Sequence, residues 1–339
     1  MGNLIKDSII TFGEVLLRLS PSDNRQVRQG NSFDYYFGGT ELNVAASLAV
    51  MGESTRYISN VSHDFVGEAA LASIRSYGID TEYINKVSHP LGLYFLEVGS
   101  GTRSSRISYN RLQGAFANIN PKEVDWDKAL EGCSHFHWTG ITPGISDGAY
   151  KTLKIGLKEA WKKGVIVTAD PAYRSNLWQY GRKGDEILKE LTKLSTIFIG
   201  GVNEINEILK MKFEFSEDGF IAASKKLIEE CPNIEKVFDK VRTGISANEQ
   251  RIFARAWTGK EYLKTSELGI KQVIDRIGTG DAYAAGIIYG LKHFDDQRTL
   301  EFANAACALK HTILGDVNLA SVTEIEEVAQ GNCGGRIKR

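Results

Sequence analysis

The stretch Asp275-Arg-Ile-Gly-Thr-Gly-Asp-Ala-Tyr-Ala-Ala-Gly-Ile-Ile-Tyr-Gly-Leu291 places a glycine-rich turn directly before an amphipathic helix. Gly278, Thr279 and Gly280 allow backbone angles at which consecutive N–H groups converge on one point, at the positive end of the helix dipole. Such a turn can bind an anion. Asp281 enters in the first helical turn, where its carboxylate reaches whatever lies over the turn. An anion site beside a carboxylate base is what phosphoryl transfer to a hydroxyl requires.

The same residues also describe an ordinary loop with an aspartate near the start of a helix. Two other phosphate-binding loops are excluded. Tyr283 stands where a dinucleotide fingerprint requires its third glycine, and the chain contains no Gly-x-x-x-x-Gly-Lys-Ser/Thr motif. Gly13, after the first predicted strand, is followed by Glu14, Val15 and Leu16 instead of a phosphate loop, which argues against a nicotinamide-dependent dehydrogenase.

Composition excludes several classes of protein. The chain has 339 residues, of which 24% are charged and 42% apolar, and its formal net charge is −1. This balance is typical of soluble globular proteins and gives no global basic surface for nucleic acid or anionic membranes. No stretch reaches about 18 consecutive apolar residues, so we expect no membrane span. The four cysteines form no Cys-x-x-Cys pair, so we expect no disulfide framework and a cytoplasmic location.

Strand-like and helix-like segments alternate along most of the chain, beginning with the apolar stretch Ser8–Phe12. This alternation predicts a doubly wound α/β fold with a mainly parallel sheet flanked by helices, formed as one domain by residues 1–330. Residues 91–110 break the pattern, because they predict an antiparallel hairpin around a glycine-bearing turn. We therefore expect a small inserted β-sheet. The glycine-rich, basic residues 331–339 are predicted to form a flexible tail.

A second glycine motif, Gly38-Gly39-Thr-Glu-Leu-Asn43, opens a predicted helix with an apolar stripe. Two glycines allow a ligand to lie against the backbone, and Asn43 can both donate and accept hydrogen bonds to a polyol. The alternative interpretation is a core helix that binds nothing.

These two motifs resemble the signatures of the ribokinase-like (PfkB-type) carbohydrate kinases, Gly-Gly-x-x-x-Asn-x-Ala and Asp-Thr-x-Gly-Ala-Gly-Asp. Gly278, Gly280 and Asp281 match the second signature, whereas Arg276 and Thr279 depart from it. The resemblance covers roughly residues 8–328. It implies a ribokinase-like fold, an ATP-dependent sugar kinase that uses Mg²⁺, and Asp281 as the general base beside an anion hole. It also implies that a small sheet, at approximately residues 13–37 and 88–114, covers the sugar as a lid and pairs two subunits of a homo-oligomer.

The resemblance extends to the nucleotide and metal residues with departures. The family carries Asn-x-x-Glu to hold the water shell of Mg²⁺ and the phosphates of ATP. Asn203 matches, but Asn206 occupies the Glu position, so Glu204 or Glu207 is expected to substitute. The alternative interpretation is that Asn203 only caps its helix.

Further contacts are implied by position alone. Arg242 ends a predicted strand, at the place where relatives contact phosphate and ribose, although the motif fits only loosely. Asn304 lies in a predicted helix whose small alanine side chains could accept an adenine ring. Core packing explains these alanines equally well. Asp275 and Ile277 stand where the family often holds a monovalent cation, so K⁺ is a candidate cofactor.

The substrate prediction depends on arginines. Arg18, Tyr109-Asn-Arg111 and Tyr173-Arg174 resemble the branch of the family that phosphorylates 2-keto-3-deoxygluconate, in which such residues, with Tyr94, hold the sugar acid. Planar guanidinium groups bind a carboxylate through two parallel, charge-assisted hydrogen bonds. We therefore expect phosphorylation of the terminal hydroxyl of 2-keto-3-deoxygluconate. The alternatives are that these arginines lie on the surface or bind phosphate, that the substrate is a neutral sugar such as fructose, or that the protein is a non-catalytic sugar-binding regulator.

Overall fold

A computed structural model describes residues 7–332, which form fourteen strands and eleven α-helices. The strands in chain order are β1 (Ser8–Phe12), β2 (Leu16–Ser20), β3 (Asp34–Gly38), β4 (Thr55–Ser62), β5 (Ile84–Val87), β6 (Gly92–Glu97), β7 (Arg106–Asn110), β8 (Cys133–Thr139), β9 (Ile166–Asp170), β10 (Ile197–Ile199), β11 (Lys236–Gly244), β12 (Gln250–Trp257), β13 (Tyr262–Lys264) and β14 (Leu268–Ile270). The helices are α1 (Thr40–Val50), α2 (Phe65–Ser76), α3 (Trp126–Ala129), α4 (Ile141–Ile145), α5 (Asp147–Lys162), α6 (Gly184–Thr192), α7 (Val202–Leu209), α8 (Glu217–Glu230), α9 (Thr279–His293), α10 (Asp296–Lys310) and α11 (Val322–Ala329).

The large sheet has the strand order β13-β12-β11-β10-β9-β8-β1-β4-β5, with β14 paired to β12. Every pairing from β11 to β5 is parallel, whereas β12 pairs antiparallel with β11, β13 and β14. The predicted doubly wound, mainly parallel sheet is therefore confirmed. The antiparallel edge of the sheet is formed by β12, β13 and β14, which lie between β11 and α9 in the chain.

Helices cover both faces of this sheet, which explains why all five residues of β1 are buried, including the polar Ser8 and Thr11. Ile9 belongs to the core cluster that contains Val44 of α1 and Ile287 of α9. Ile10, one residue later, faces the opposite cluster, which contains Leu153 of α5. Alternate side chains of one strand thus reach two different cores.

The small residues of α9 let it approach α10 closely. A Cβ added to Gly286 would lie 2.6 Å from the Cα of Ala303, so only glycine permits this contact. Glycine inside a helix costs about 1 kcal/mol relative to alanine. The close packing of α9 on α10 offsets that cost and fixes the axis of the helix that carries Asp281.

Four strands form a separate small sheet in the order β3-β2-β6-β7. The hairpin predicted within 91–110 is confirmed, because β6 and β7 pair antiparallel with Tyr94 opposite Tyr109. β2 pairs in parallel with β6, so residues from two distant parts of the chain meet in this sheet.

No helix within residues 7–332 is long and apolar enough to cross a membrane. The predicted tail at 331–339 lies almost wholly outside the described residues.

Candidate active site

A cavity of about 860 Å³ opens where the parallel strands of the large sheet end. Thr139 and Asp170 pair at the carboxyl ends of β8 and β9, and both line the cavity. Gly200 follows β10 on the same edge, and the small sheet contributes Tyr94 and Tyr109 to the wall. This edge is where ligands bind in open parallel sheets.

The glycine turn before α9 forms the floor of this cavity. Gly278 is the N-cap of α9 with φ 77°, and Asp281 lies in the first turn, as the sequence predicted. A Cβ on Gly278 would lie 1.8 Å from the carbonyl oxygen of Asp316, so this position admits only glycine. Gly278, Thr279 and Gly280 all line the cavity at the positive end of the α9 dipole.

Asp281 has the electrostatics of a general base. Burial raises the pKa of its carboxyl to about 7, with the negative charges of Asp170 and Glu41 acting in the same direction. The hydrogen bond from Asn43 and the charge of Lys240 oppose this shift and lower the pKa. The ideal pKa for a base that works near neutral pH lies close to the working pH.

Asn43 faces the catalytic turn from the first turns of α1. Its Nδ2 donates a 2.7 Å hydrogen bond to Oδ2 of Asp281, whereas its buried Oδ1 has no partner among the described residues. The predicted polyol contact therefore reduces to Oδ1, because Nδ2 already binds Asp281. Gly39 has φ 145°, and a Cβ there would lie 2.0 Å from the carbonyl oxygen of Glu14, so only glycine fits at this position. Gly38 is buried and does not line the cavity.

Arg111 lines the cavity but its charge is already compensated. Its guanidinium forms a buried ion pair with Glu14, with Nε donating to Oε2 at 2.7 Å, and it also lies over the ring of Tyr109. Tyr94 faces Tyr109 at 5.6 Å between ring centroids, and its hydroxyl donates to Asp316. The two tyrosines and Arg111 thus form one aromatic and cationic wall.

Arg174 differs from Arg111 because it forms no ion pair with a carboxylate among residues 7–332. It is exposed, lines the cavity, and donates only to the carbonyl oxygen of Tyr173. It lies near Asp170. Burial raises the pKa of the Asp170 carboxyl to about 6, and the positive charges of Lys240 and Arg174 oppose this shift. An unpaired guanidinium at the cavity edge is free to bind an anionic ligand.

The expectation that Arg18 contributes a cation to the substrate pocket is wrong. Arg18 is fully buried and does not line the cavity. Its Nη1 donates to Asp275 at 2.6 Å and to Asp316 at 2.8 Å. The alternating pattern of β2 directs this side chain to the covered face of the small sheet, where two carboxylates neutralise it.

Four more cations line the same cavity without any carboxylate partner in the described part of the chain: Lys240, Arg242, Lys264 and Arg276. Burial and the neighbouring charge of Arg276 lower the pKa of Arg242, so the two guanidinium groups repel each other. A Cβ on Gly280 would lie 3.1 Å from Nζ of Lys240, which places this ammonium group against the turn. Such a group of unpaired cations binds a polyanion.

The start of α7 contains the residues expected to hold Mg²⁺. Asn203 and Glu204 line the cavity, and Oε2 of Glu204 accepts the N–H of Gly201. The helix N-cap is Gly201, so the alternative that Asn203 only caps α7 is wrong. The side chain of Asn206 donates a hydrogen bond to the carbonyl oxygen of Phe213 and accepts one from the N–H of the same residue. Glu207 does not line the cavity. A metal held through water therefore fits Asn203 and Glu204 better than Glu207.

Two other predicted positions differ in their surroundings. Asn304 is buried and donates to Oγ1 of Thr265, and it does not line the cavity, so direct contact with a nucleotide lacks support. Asp275 is also buried, and both of its carboxylate oxygens accept protein hydrogen bonds. Because these oxygens are occupied by hydrogen bonds, the carboxylate of Asp275 does not fit a site for a monovalent cation. Ile277, the other predicted residue of this site, lines the cavity.

Sequence reasoning missed several cavity residues, namely Glu14, Glu41, Asp170, Lys240 and Asp316. Asp170 carried a usable signal, because it ends a predicted parallel strand at the edge where ligands bind. Asp316 carried none, since only the packing of the loop after α10 brings it to the turn before α9.

The chain as a whole is similar to known carbohydrate kinases. Residues 6–320 match the pfkB family of carbohydrate kinases. The chain is 26% identical over 328 residues to a 2-dehydro-3-deoxygalactonokinase of Haloferax volcanii, covering 96% of this chain and 98% of that protein. It is 28% identical over 329 residues to a 5-dehydro-2-deoxygluconokinase of Clostridium botulinum, covering 95% and 92%. The crystal structure of 2-dehydro-3-deoxygluconokinase from Thermotoga maritima superposes with a TM-score of 0.91 at 33% identity, covering 96% of this chain and 99% of that one.

Proposed function

Because the chain belongs to the pfkB family of carbohydrate kinases, we propose that this sugar kinase phosphorylates a keto-deoxy sugar acid at its terminal hydroxyl. The substrate we infer is 2-keto-3-deoxygluconate, which is 2-dehydro-3-deoxygluconate under its other name, and the product is 2-keto-3-deoxy-6-phosphogluconate. The observation that carries the proposal is that Asp281, a buried carboxyl with a pKa of about 7, lines the same cavity as Tyr94 and Tyr109 of the small sheet and as a group of cations without carboxylate partners among residues 7–332.

The phosphoryl donor is ATP. Lys240, Arg242 and Arg276 would provide positive charge for a triphosphate, and Gly278, Thr279 and Gly280, whose turn can bind an anion, line the same cavity. Asn203 and Glu204 would hold Mg²⁺ through its water shell, and the ion would neutralise charge on the β- and γ-phosphates.

The proposed reaction is a direct in-line transfer. The carboxylate of Asp281 accepts the proton of the sugar hydroxyl while the oxygen forms a bond to the γ-phosphorus. The bond between the γ-phosphorus and the bridging oxygen breaks, and its electron pair leaves with ADP. The turn N–H groups and Lys240 stabilise charge on the transferring phosphoryl group, which is the main catalytic demand of such a transfer.

The choice of a sugar acid is supported by two arguments. The relatives described above are all named for keto-deoxy sugar acids. Arg174 has no carboxylate partner within residues 7–332, so it can bind a carboxylate bidentately at no cost to an ion pair seen there. Arg111 retains donors beyond those used by Glu14 and assists from the opposite wall.

The small sheet supports a lid and an interface between two subunits. Tyr94, Ile107 and Tyr109 of residues 88–114 line the cavity. On the other face of the sheet, Tyr35 of β3 and the preceding Phe33 are exposed. Exposed aromatic side chains on a sheet face are typical of a protein interface. We therefore propose a homo-oligomer that pairs through this sheet, with residues 1–330 acting as one kinase domain in the cytoplasm.

The test is a substrate panel with Mg·ATP, measured by ADP release and by the mass and phosphorus spectrum of the product. The panel contains 2-keto-3-deoxygluconate, 2-keto-3-deoxygalactonate, 5-keto-2-deoxygluconate, fructose and ribose. We expect kcat/KM for the first acid to exceed that for fructose by at least about tenfold, since one charge-assisted hydrogen bond has that value. Preference for fructose or ribose would overturn the acid assignment. Sugar binding without ADP release from any sugar would favour a non-catalytic regulator.

A further inference from the structure

Arg18 of β2 joins the small sheet to the catalytic turn through two buried carboxylates. Its side chain is 1% exposed, and its Nη1 donates to Oδ2 of Asp275 at 2.6 Å and to Oδ1 of Asp316 at 2.8 Å. The ring of Tyr36 lies 4.9 Å from the guanidinium carbon and covers its face. Asp275 precedes the turn and Asp316 follows α10, so one cation holds together two segments 41 residues apart in sequence.

Both aspartates contact the backbone that forms the anion site, Asp275 through its carboxylate and Asp316 through its main-chain carbonyl group. Oδ1 of Asp275 accepts the N–H of Ile277 at 3.0 Å, and its Oδ2 accepts the N–H of Gly315 at 3.2 Å. The carbonyl oxygen of Asp316 lies so close under Gly278 that no Cβ fits there. The position of the turn N–H groups therefore depends on where these two aspartates lie.

The oxygen atoms of these two carboxylates are already occupied by hydrogen bonds and are not free to coordinate a monovalent cation. Both carboxylate oxygens of Asp275 accept protein hydrogen bonds, and so do both of Asp316, whose Oδ2 accepts the hydroxyl of Tyr94 at 2.6 Å. Lys310 is also buried beside them, with its Nζ donating to the carbonyl oxygen of Ile313 at 2.8 Å. Two carboxylates thus face two cationic side chains. A further cation would be buried without compensating charge, which is strongly unfavourable.

We propose that Arg18 is a built-in substitute for a monovalent cation, a positioning residue that fixes the anion-binding turn so that phosphoryl transfer needs no K⁺. The expectation that Asp275 and Ile277 hold K⁺ is replaced by this internal ion pair. The inference rests on the proposed kinase function, because the turn is taken as the site of the transferring phosphoryl group. Through Tyr94 and Asp316, the same cation also connects the sugar wall to the turn.

The first test uses the wild-type enzyme. After exchange into tetramethylammonium chloride, kcat and the KM for ATP are measured with about 100 mM tetramethylammonium, Na⁺ or K⁺ at constant ionic strength. We expect the three values of kcat to agree within about twofold, since no site gains a ligand. An increase of about tenfold or more that is specific to K⁺ would overturn the proposal.

The second test removes the internal cation. Arg18→Ala leaves Asp275 and Asp316 facing each other in a space that K⁺ or methylguanidinium can enter. We expect kcat to fall by at least about a hundredfold and to recover at least about tenfold on adding either cation, with little change in the KM for the sugar. Arg56→Ala is the matched control, because Arg56 pairs with Asp80 away from the cavity. A loss of kcat in Arg18→Ala that neither cation restores would reveal a merely structural role and overturn the proposal.

A readout independent of catalysis separates this inference from the kinase assignment. The thermal midpoint of the wild type should be the same in K⁺ and tetramethylammonium, whereas that of Arg18→Ala should rise in K⁺ by at least about 2 °C. Arg18→Lys, which keeps one cation near the same carboxylates, serves if the alanine variant does not fold, and should show no preference for K⁺. Selective stabilisation of the wild type by K⁺ would contradict the inference, while absence of ADP release with every sugar would contradict only the proposed function.

Discussion

Nδ2 of Asn43 donates a 2.7 Å hydrogen bond to Oδ2 of Asp281, although 238 positions separate the two residues in the chain. Each lies in the early turns of a helix that follows a glycine turn, so the two motifs of the sequence meet at a single carboxylate. Asn43 stabilises the ionised form of Asp281, whereas burial and the charges of Asp170 and Glu41 favour the protonated form. The balance sets the pKa of the base near neutrality.

Asp281→Asn should reduce kcat by about 10²–10⁴-fold, because the amide keeps the size of the side chain but cannot accept the proton. Sugar binding measured by calorimetry should remain within about threefold, since no substrate contact of another residue is lost. In the wild type, kcat/KM should fall about tenfold per pH unit below a pH near 7, where the base becomes protonated. Turnover of the variant at the wild-type rate would refute the assignment.

The same substitution should stabilise the protein at alkaline pH. The folded-state pKa of Asp281 is raised from 3.8 to about 7, so the folded protein binds this proton more tightly than the unfolded chain. The stability that protonation supplies is present below pH 4 and is lost as the pH rises through 7. The thermal midpoint of Asp281→Asn should therefore exceed that of the wild type by at least about 2 °C at pH 8, with a smaller difference at pH 4. Equal midpoints at pH 8 would show that the carboxylate is not destabilised by burial.

Asn43→Ala and Asp170→Asn should shift the acidic limb of the pH–rate profile in opposite directions. Loss of the Asn43 hydrogen bond raises the pKa of Asp281, by about one to two pH units if the charged hydrogen bond has its usual strength. Loss of the Asp170 charge lowers that pKa, because a like charge no longer opposes ionisation. Profiles of kcat/KM for both variants beside the wild type would reveal the shifts. Movement of both limbs in the same direction would contradict this account of the base.

Lys240→Met should lower kcat by about a hundredfold or more, because Nζ lies against Gly280 and stabilises charge on the phosphoryl group during transfer. Single-turnover kinetics with saturating ATP would separate this effect from nucleotide binding. Lys264→Met, which removes another unpaired cation of the cavity away from the turn, is the matched comparison and should change mainly the KM for ATP. Equal losses of kcat in both variants would show that Lys240 contributes no more to the transfer step than Lys264 does.

Arg174→Ala should raise the KM for 2-keto-3-deoxygluconate at least about tenfold, since it removes an unpaired guanidinium from the cavity edge. Any slow reaction with fructose should change little, because fructose has no carboxylate. Arg182→Ala provides the control, as Arg182 is paired with Asp147 and does not line the cavity. If Arg174→Ala and Arg111→Ala both leave the preference for the acid unchanged, the acid assignment fails while the kinase assignment remains.

Hydrogen exchange should slow in β6 and β7 when the sugar binds, because a lid that excludes water protects the phosphoryl group from hydrolysis. Peptides from β4 and β5, which lie at the far edge of the large sheet, should exchange at the same rate with and without sugar. Unchanged exchange of β6 and β7 at saturating sugar would argue against a lid.

Local sequence determined most of the fold and the catalytic turn. The buried first strand β1, the helix after Gly278 and the hairpin within 91–110 depend on patterns spanning fewer than about twenty residues. The mainly parallel sheet follows from the alternation of such elements. The position of Asp281 in the first turn of α9 could likewise be predicted, since it follows directly from the glycine turn. Its pKa could not, because Asn43, Asp170 and Glu41 reach it from distant parts of the chain.

Only the tertiary structure decided what the charged residues do. Arg18, Arg111 and Arg174 are alike in sequence, yet the first is buried between Asp275 and Asp316, the second is paired with Glu14, and the third is free. A charge takes its function from its partners and from its burial, and both are set by segments that lie far away along the chain. Asp316 acquires its role in the same way, because packing of the loop after α10 brings it under Gly278.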